Sequence, residues 1–222
     1  MDQKNREFFE AAARGDFAKV CAEAAKGADI NVKNGDGRTA LMRSAKRGYT
    51  EIVRYLLDNG ADVRARDNNN KTALMGAAKK GHVDICRMLV HAGADVNSHD
   101  NRGRTALMRA ALLGQDDVVE YLVSKGADVN ARDDQGRTAL MEATTSYKMD
   151  IIQYLLEHGA DINQADGRGC TALMRAAYIG YPELVKFLLS HGADKDIKDY
   201  SGNIAIHYVR KECLQDLKEI LK

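Results

Sequence analysis

The chain has 222 residues, 45% of them hydrophobic and 29% charged, with a net charge of +1. That balance suffices for a buried core and excludes an overall electrostatic bias toward nucleic acid or anionic membrane, so any charged surface must be local. The opening MDQKNREFFE has no apolar signal region, and no later run approaches the roughly 18 apolar residues of a membrane span, so a cytoplasmic monomer is expected.

Two markers organise the chain. Thr39, Thr72, Thr105, Thr138 and Thr171 recur every 33 residues, and a GAD tripeptide returns from Gly27 through Gly60, Gly93, Gly126 and Gly159 to Gly192. A fixed period of this size signals stacked repeats. Extending the register back to Arg6 and forward to Ile204 gives seven units in one domain, at 1–33, 34–66, 67–99, 100–132, 133–165, 166–198 and a truncated 199–222.

In the first unit Lys19 stands where inner units carry Ile52, Ile85 or Val118. Its outer side is therefore expected to face water as a cap. In the second unit Thr39 can cap a short helix with Leu41, Met42, Ser44 and Ala45 on its apolar side, and Gly48 suits a left-handed end. A second helix is expected from about Glu51 to Asn59, closed by Gly60, before GADVRARDNNN turns the chain toward the next unit. The third and fourth units repeat this with KTALMGAAKKG and RTALMRAALLG. In the fifth, ATTSYK places Tyr147 where a glycine ends the first helix. The pattern predicts a lengthened or distorted helix there, or a local change in the binding surface. In the last unit Lys218 replaces Val53, Val119 and Val185, and Arg210 replaces Ala45, Ala78 and Ala111. A second water-facing cap is expected, and with it a complete module.

At T-A-L-M-x-A-A-x-x-G, I-V-x-x-L-L and G-A-D-V-N the whole chain resembles the ankyrin-repeat family. The resemblance implies an all-α solenoid with short β-turn fingers, each unit a projecting turn followed by two antiparallel helices. The family's usual T-P-L-H reads T-A-L-M here, so methionine replaces a histidine that in the family joins a hydrogen-bond network between loops. Met42, Met75, Met108, Met141 and Met174 form a ladder that in principle suits a soft metal. Without a recurring histidine or cysteine beside it, a flexible core filling is the expected role.

Gly167, Gly169 and Ala172 imitate a dinucleotide fingerprint but lie in a repeat turn, and the sequon Asn70, Lys71, Thr72 contains a capping threonine. His91, His158 and His191 belong to second-helix ends, opposite the helix dipole. Cys21, Cys86, Cys170 and Cys213 occupy four different repeat positions, unlike a disulfide framework or C-x-x-C site. No H-E-x-x-H, G-x-S-x-G or P-loop is present. A non-enzyme without metal or cofactor is expected.

Function is sought in the variable letters. Arg43, Lys46 and Arg47 share one side of the first helix. The resemblance places this stripe, with the residue before the threonine, on the concave face that usually binds partners. The stripe reads Arg38, Arg43, Lys46, Arg47; Lys71, Gly76, Lys79, Lys80; Arg104, Arg109, Leu112, Leu113; Arg137, Glu142, Thr145, Ser146; and Cys170, Arg175, Tyr178, Ile179. Eleven of these twenty are basic and one is acidic, a net +10 against +1 for the whole chain. A basic shelf beside apolar anchors fits an acidic, partly hydrophobic protein or peptide. The alternative is a polyanion, as nucleic acid or a phosphorylated segment, although Tyr178 alone offers base stacking. A third reading makes the cations a solvating surface copied with the duplicated unit.

Overall fold

A threonine in extended backbone can accept a hydrogen bond from an amide that the first helical turn leaves unpaired. In the computed structural model, which describes residues 2–222, the Oγ1 atoms of Thr39, Thr72, Thr105 and Thr138 accept the N–H three residues on at 3.3 Å, and that of Thr171 at 3.4 Å. Six helix pairs result: α1 (Gln3–Arg14) with α2 (Phe17–Ala25), α3 (Ala40–Arg47) with α4 (Thr50–Asp58), α5 (Ala73–Lys80) with α6 (Val83–His91), α7 (Ala106–Leu113) with α8 (Asp116–Ser124), α9 (Ala139–Thr145) with α10 (Met149–Glu157), and α11 (Ala172–Ile179) with α12 (Pro182–Ser190). The helix of the second pair starts and ends one residue before the expected Glu51 and Asn59. Gly60 N–H donates to Leu57 and Ala61 N–H to Leu56 there, which closes α4 as a Schellman turn.

Most of these helices have only two turns and would not hold alone. Packing supplies what length does not. The odd-numbered helices stand side by side in one layer, while α2, α4, α6, α8 and α10 contact each other in a second. Leu41, Leu74, Leu107, Leu140 and Leu173 recur in the first layer at 1% exposure, and Leu56, Leu89, Leu122, Leu155 and Leu188 in the second at 0%. Full burial of such a side chain contributes about 1.5–3 kcal/mol. The methionine ladder is buried with them, so it fills the interior between repeats.

The fifth pair departs from the rest. Tyr147 takes the left-handed conformation, φ +53°, that Gly48, Gly81, Gly114 and Gly180 adopt elsewhere. The expected lengthening does not occur: α9 has seven residues where α3 has eight. Thr144 and Thr145 each return a hydroxyl hydrogen bond of 2.8 Å to the carbonyl four residues back, and the helix closes at Ser146.

Two ladders tie the turns together. In the fingers, the N–H groups of Asn68, Asn101, Asp134, Gly167 and Tyr200 donate to the carbonyls of Asp36, Asn69, Arg102, Gln135 and Arg168. At the opposite turns, Asn31, Asn97, Asn130 and Asn163 each donate Nδ2–H to the carbonyl of Gly60, Gly126, Gly159 or Gly192. Their Oδ1 atoms accept the N–H of Asp62, Asp128, Asp161 or Asp194, all at 2.7–3.1 Å. The asparagine of G-A-D-V-N is thus a clip to the following repeat. Arg64 interrupts it, with one contact from Nε–H to the carbonyl of Gly93 at 3.2 Å.

After α12 the first-helix segment is reduced to 3-10 turns at Ala205–Tyr208 and Lys211–Cys213, followed by α13 (Leu214–Leu221). Leu217 and Leu221 are buried, and Lys218 is exposed, as is Lys19 at the other end. His207 sits where the other repeats carry methionine, and its Nδ1 accepts the Ile204 N–H at 3.1 Å. Arg210 donates to the Ile179 carbonyl at 2.8 Å, which satisfies the open end of α11.

Candidate functional site

Asp67, Asp100, Asp133, Asp166 and Asp199 form a buried column at the bases of the fingers. Each Oδ1 accepts the backbone N–H groups two and four residues on, at 2.8–3.1 Å. The aspartate therefore shapes the turn, and its second oxygen remains to be matched by a cation or hydroxyl. Asp67 takes Arg38 at 3.5 Å, and Asp100 takes Arg109. Asp133 takes Arg137 at 2.8 Å and Arg104 at 3.5 Å, and Asp166 takes Arg175 at 2.5 Å.

This column corrects the picture of one exposed stripe. Arg38, Arg104, Arg109, Arg137 and Arg175 are tied inward because buried carboxylates need counter-charge. Glu142 is buried at 6% exposure, 3.2 Å from Arg104 and 3.4 Å from Arg137. Cys170 is buried too, 2.9 Å from the Tyr208 hydroxyl. Among the described residues, the stripe cations without a carboxylate partner are Arg43, Lys46, Arg47, Lys71, Lys79 and Lys80. All belong to α3, α5 and the turn between their repeats. Burial holds the Lys46 ammonium below the ordinary lysine range, and Arg38, Lys79, Arg43 and Lys80 push it the same way.

Farther along the inner layer the surface turns apolar. Leu113 is 41% and Tyr178 59% exposed, with Leu112 and Ile179 half-buried beside them. Thr145, Ile179 and Tyr178 line a hollow of about 650 Å³ with Arg137, Arg175 and Tyr208. The ring of Tyr147 packs on Tyr181 at 4.5 Å with the planes tilted by 40°, and Arg210 lies over Tyr178 at 5.7 Å. Burial pushes the Cys86 thiol up to about 12, which keeps it protonated and unreactive at neutral pH.

The aspartate column was missed in the sequence although its signal was present, since the residues recur at the same step as the threonines. Asp199 shows its effect on titration. The Tyr208 hydroxyl donates to it at 2.6 Å, and this bond with the Asn203 amide holds its carboxyl down at about 2. A carboxyl so depressed contributes stability in full above its unfolded value of about 3.9, and the contribution is lost as pH falls through the folded value. The C-terminal segment is therefore expected to loosen between about pH 4 and 2. Circular dichroism melts should show the Tyr208→Phe variant less stable than the wild type above about pH 4, with the two curves converging toward about pH 2; a difference that persists undiminished at about pH 2 would count against this role.

No described helix is long and apolar enough to cross a membrane. A search of curated proteins returned no significant match. A family model for ankyrin repeats in three copies matches residues 8–100 and 131–199, and the model for a single ankyrin repeat matches residues 102–134. With paired helices, finger turns and stacked layers over the same residues, the chain belongs to the ankyrin-repeat family.

Proposed function

We propose that the chain is a non-catalytic protein-binding module whose inner-helix face takes an acidic, partly hydrophobic protein or peptide. Ankyrin repeats are generic protein-interaction modules. The supporting observation is the division of this face: six unpaired cations on the α3 and α5 repeats, then Leu112, Leu113, Tyr178 and Ile179 on the α7 and α11 repeats. Charges of one sign raise the encounter rate, whereas desolvated apolar groups slow departure. The same reading divides the chain into the seven units of the 33-residue register, acting as a monomer in a reduced, cytoplasmic setting. All four cysteines are free, which agrees with it.

Binding of a polyanion is the second reading, favoured by the six cations and disfavoured because the exposed rings of Tyr147, Tyr178 and Tyr181 belong to the α9 and α11 repeats and not to the cationic ones. Kinetics on a partner captured from nuclease-treated lysate separate the two. Reversing Lys46 and Arg47 to glutamate should mainly lower the association rate, with the loss shrinking at high salt. Leu112→Ala and Leu113→Ala should mainly raise the dissociation rate, each by about 1–2 kcal/mol. Silent leucines together with a steep salt dependence for every charge change would favour the polyanion.

A further inference from the structure

Arg43 occupies the place held by Arg109 and Arg175 two and four repeats later, nine residues after the column position. Those two arginines pair with Asp100 and Asp166. Position 34, however, is asparagine. Asn34 still shapes its turn, accepting the N–H of Asp36 at 3.1 Å and of Arg38 at 2.9 Å, but it brings no charge. Arg43 is half-buried, with its Nε enclosed and unpartnered like those of Arg109 and Arg175, but among the described residues its guanidinium, unlike theirs, makes no ion pair.

The adjoining repeat opens space beside it. Gly76 stands where others carry Arg109, Glu142 or Arg175, and a methyl group added there would already lie 3.2 Å from Lys46 Cβ. The result is a cleft of about 110 Å³ between α3 and α5, lined by Arg38, Arg43, Lys46, Asp67, Lys71 and Lys79 among others. At roughly 30 Å³ per water, that is room for one oxyanion head group. Arg38 and Asp67 compensate each other. Arg43, Lys46, Lys71 and Lys79 remain uncompensated at the wall, more positive charge than one carboxylate would answer.

We propose that this cleft is a phosphoryl-binding site, with the Arg43 guanidinium as its principal donor, occupied by a phosphorylated side chain of the protein partner. The asparagine at 34 vacates the internal counter-ion, and an external dianion takes its place. A phosphate monoester carries close to two charges near pH 7 and three acceptor oxygens, matching a guanidinium with several lysines better than a carboxylate does. The apolar ledge farther along the face suits the rest of a protein partner. The inference rests on reading this face as the binding face and adds the chemical group that it recognises.

The test uses the full chain and inorganic phosphate, followed by NMR at the arginine Nε–H signals and by calorimetry. Phosphate should saturate one site and shift the Arg43 signal, with acetate weaker by roughly tenfold or more at equal ionic strength. Asn34→Asp restores the internal partner and should weaken phosphate binding by roughly tenfold while leaving the melting temperature unchanged or higher. Arg43→Gln should remove binding by another route, should the first variant fold poorly. Equal affinity for acetate, or undiminished phosphate binding in both variants, overturns the proposal. A phosphoserine peptide flanked by leucines should bind more tightly than inorganic phosphate and lose that increment in Leu112→Ala with Leu113→Ala. A peptide no tighter than the free ion overturns the protein-borne source. Should phosphate fail to bind while an acidic partner still does, the groove reading stands and this inference alone falls.

Discussion

Deleting residues 199–222 is expected to abolish cooperative melting and drive aggregation. Stacked repeats are stabilised by their neighbours, so the last segment matters through the face it covers. Leu217 and Leu221 are buried as α13 packs on α12, whose own Leu184, Val185 and Leu188 are 0% exposed. The 3-10 turn at Ala205–Tyr208 closes over α11 in the same way. Without these elements a row of leucine, valine and alanine meets water, and a contiguous apolar surface of that kind associates. Analytical ultracentrifugation and thermal denaturation measure both effects. A monomeric truncation with unchanged melting would remove α13 from its role as a cover.

Asp133→Ala should have the largest effect of any single charge change, about 3 kcal/mol in urea denaturation. Its carboxylate accepts the Gln135 and Arg137 amides and holds two arginines whose other shared partner is the buried Glu142. Burial on its own would raise the Asp133 carboxyl, but the hydrogen bonds from Arg137 and Gln135 outweigh it and hold it below the ordinary range. Asp133→Asn keeps an oxygen for the two amides and should lose roughly half as much, since a neutral hydrogen bond contributes about 1 kcal/mol. A loss under about 1 kcal/mol for the alanine variant would place the cluster with ordinary surface pairs.

The helices were legible because capping threonines, terminal glycines and leucine spacing each act within a few residues. Tyr147 was legible as an anomaly, but not its outcome, which depended on two threonine hydroxyls bonding back into the helix. The charged face was legible only in part. Counting cations along one side registers Arg109 and Arg43 as equals. What separates them is the residue nine places earlier, aspartate in one repeat and asparagine in the other, and that relation exists only once the finger folds back beside the helix. Glu142 was likewise misplaced outside because its two arginine partners come from the turns of the fourth and fifth repeats.

The interrupted asparagine clip has a mechanical consequence. A stack bonded only between neighbours behaves under load as springs in series, and its bending is concentrated at the softest junction. Finger hydrogen bonds run from the second repeat to the seventh, yet at Arg64 one contact replaces the two that each asparagine makes. That junction joins the same pair of repeats that enclose the cleft between α3 and α5. Arg66 donates across the same junction to the His99 carbonyl at 3.0 Å and the Ser98 hydroxyl at 3.3 Å, so the load that the clip no longer takes passes to the turn beside the cleft, and an occupant touching both walls would share it.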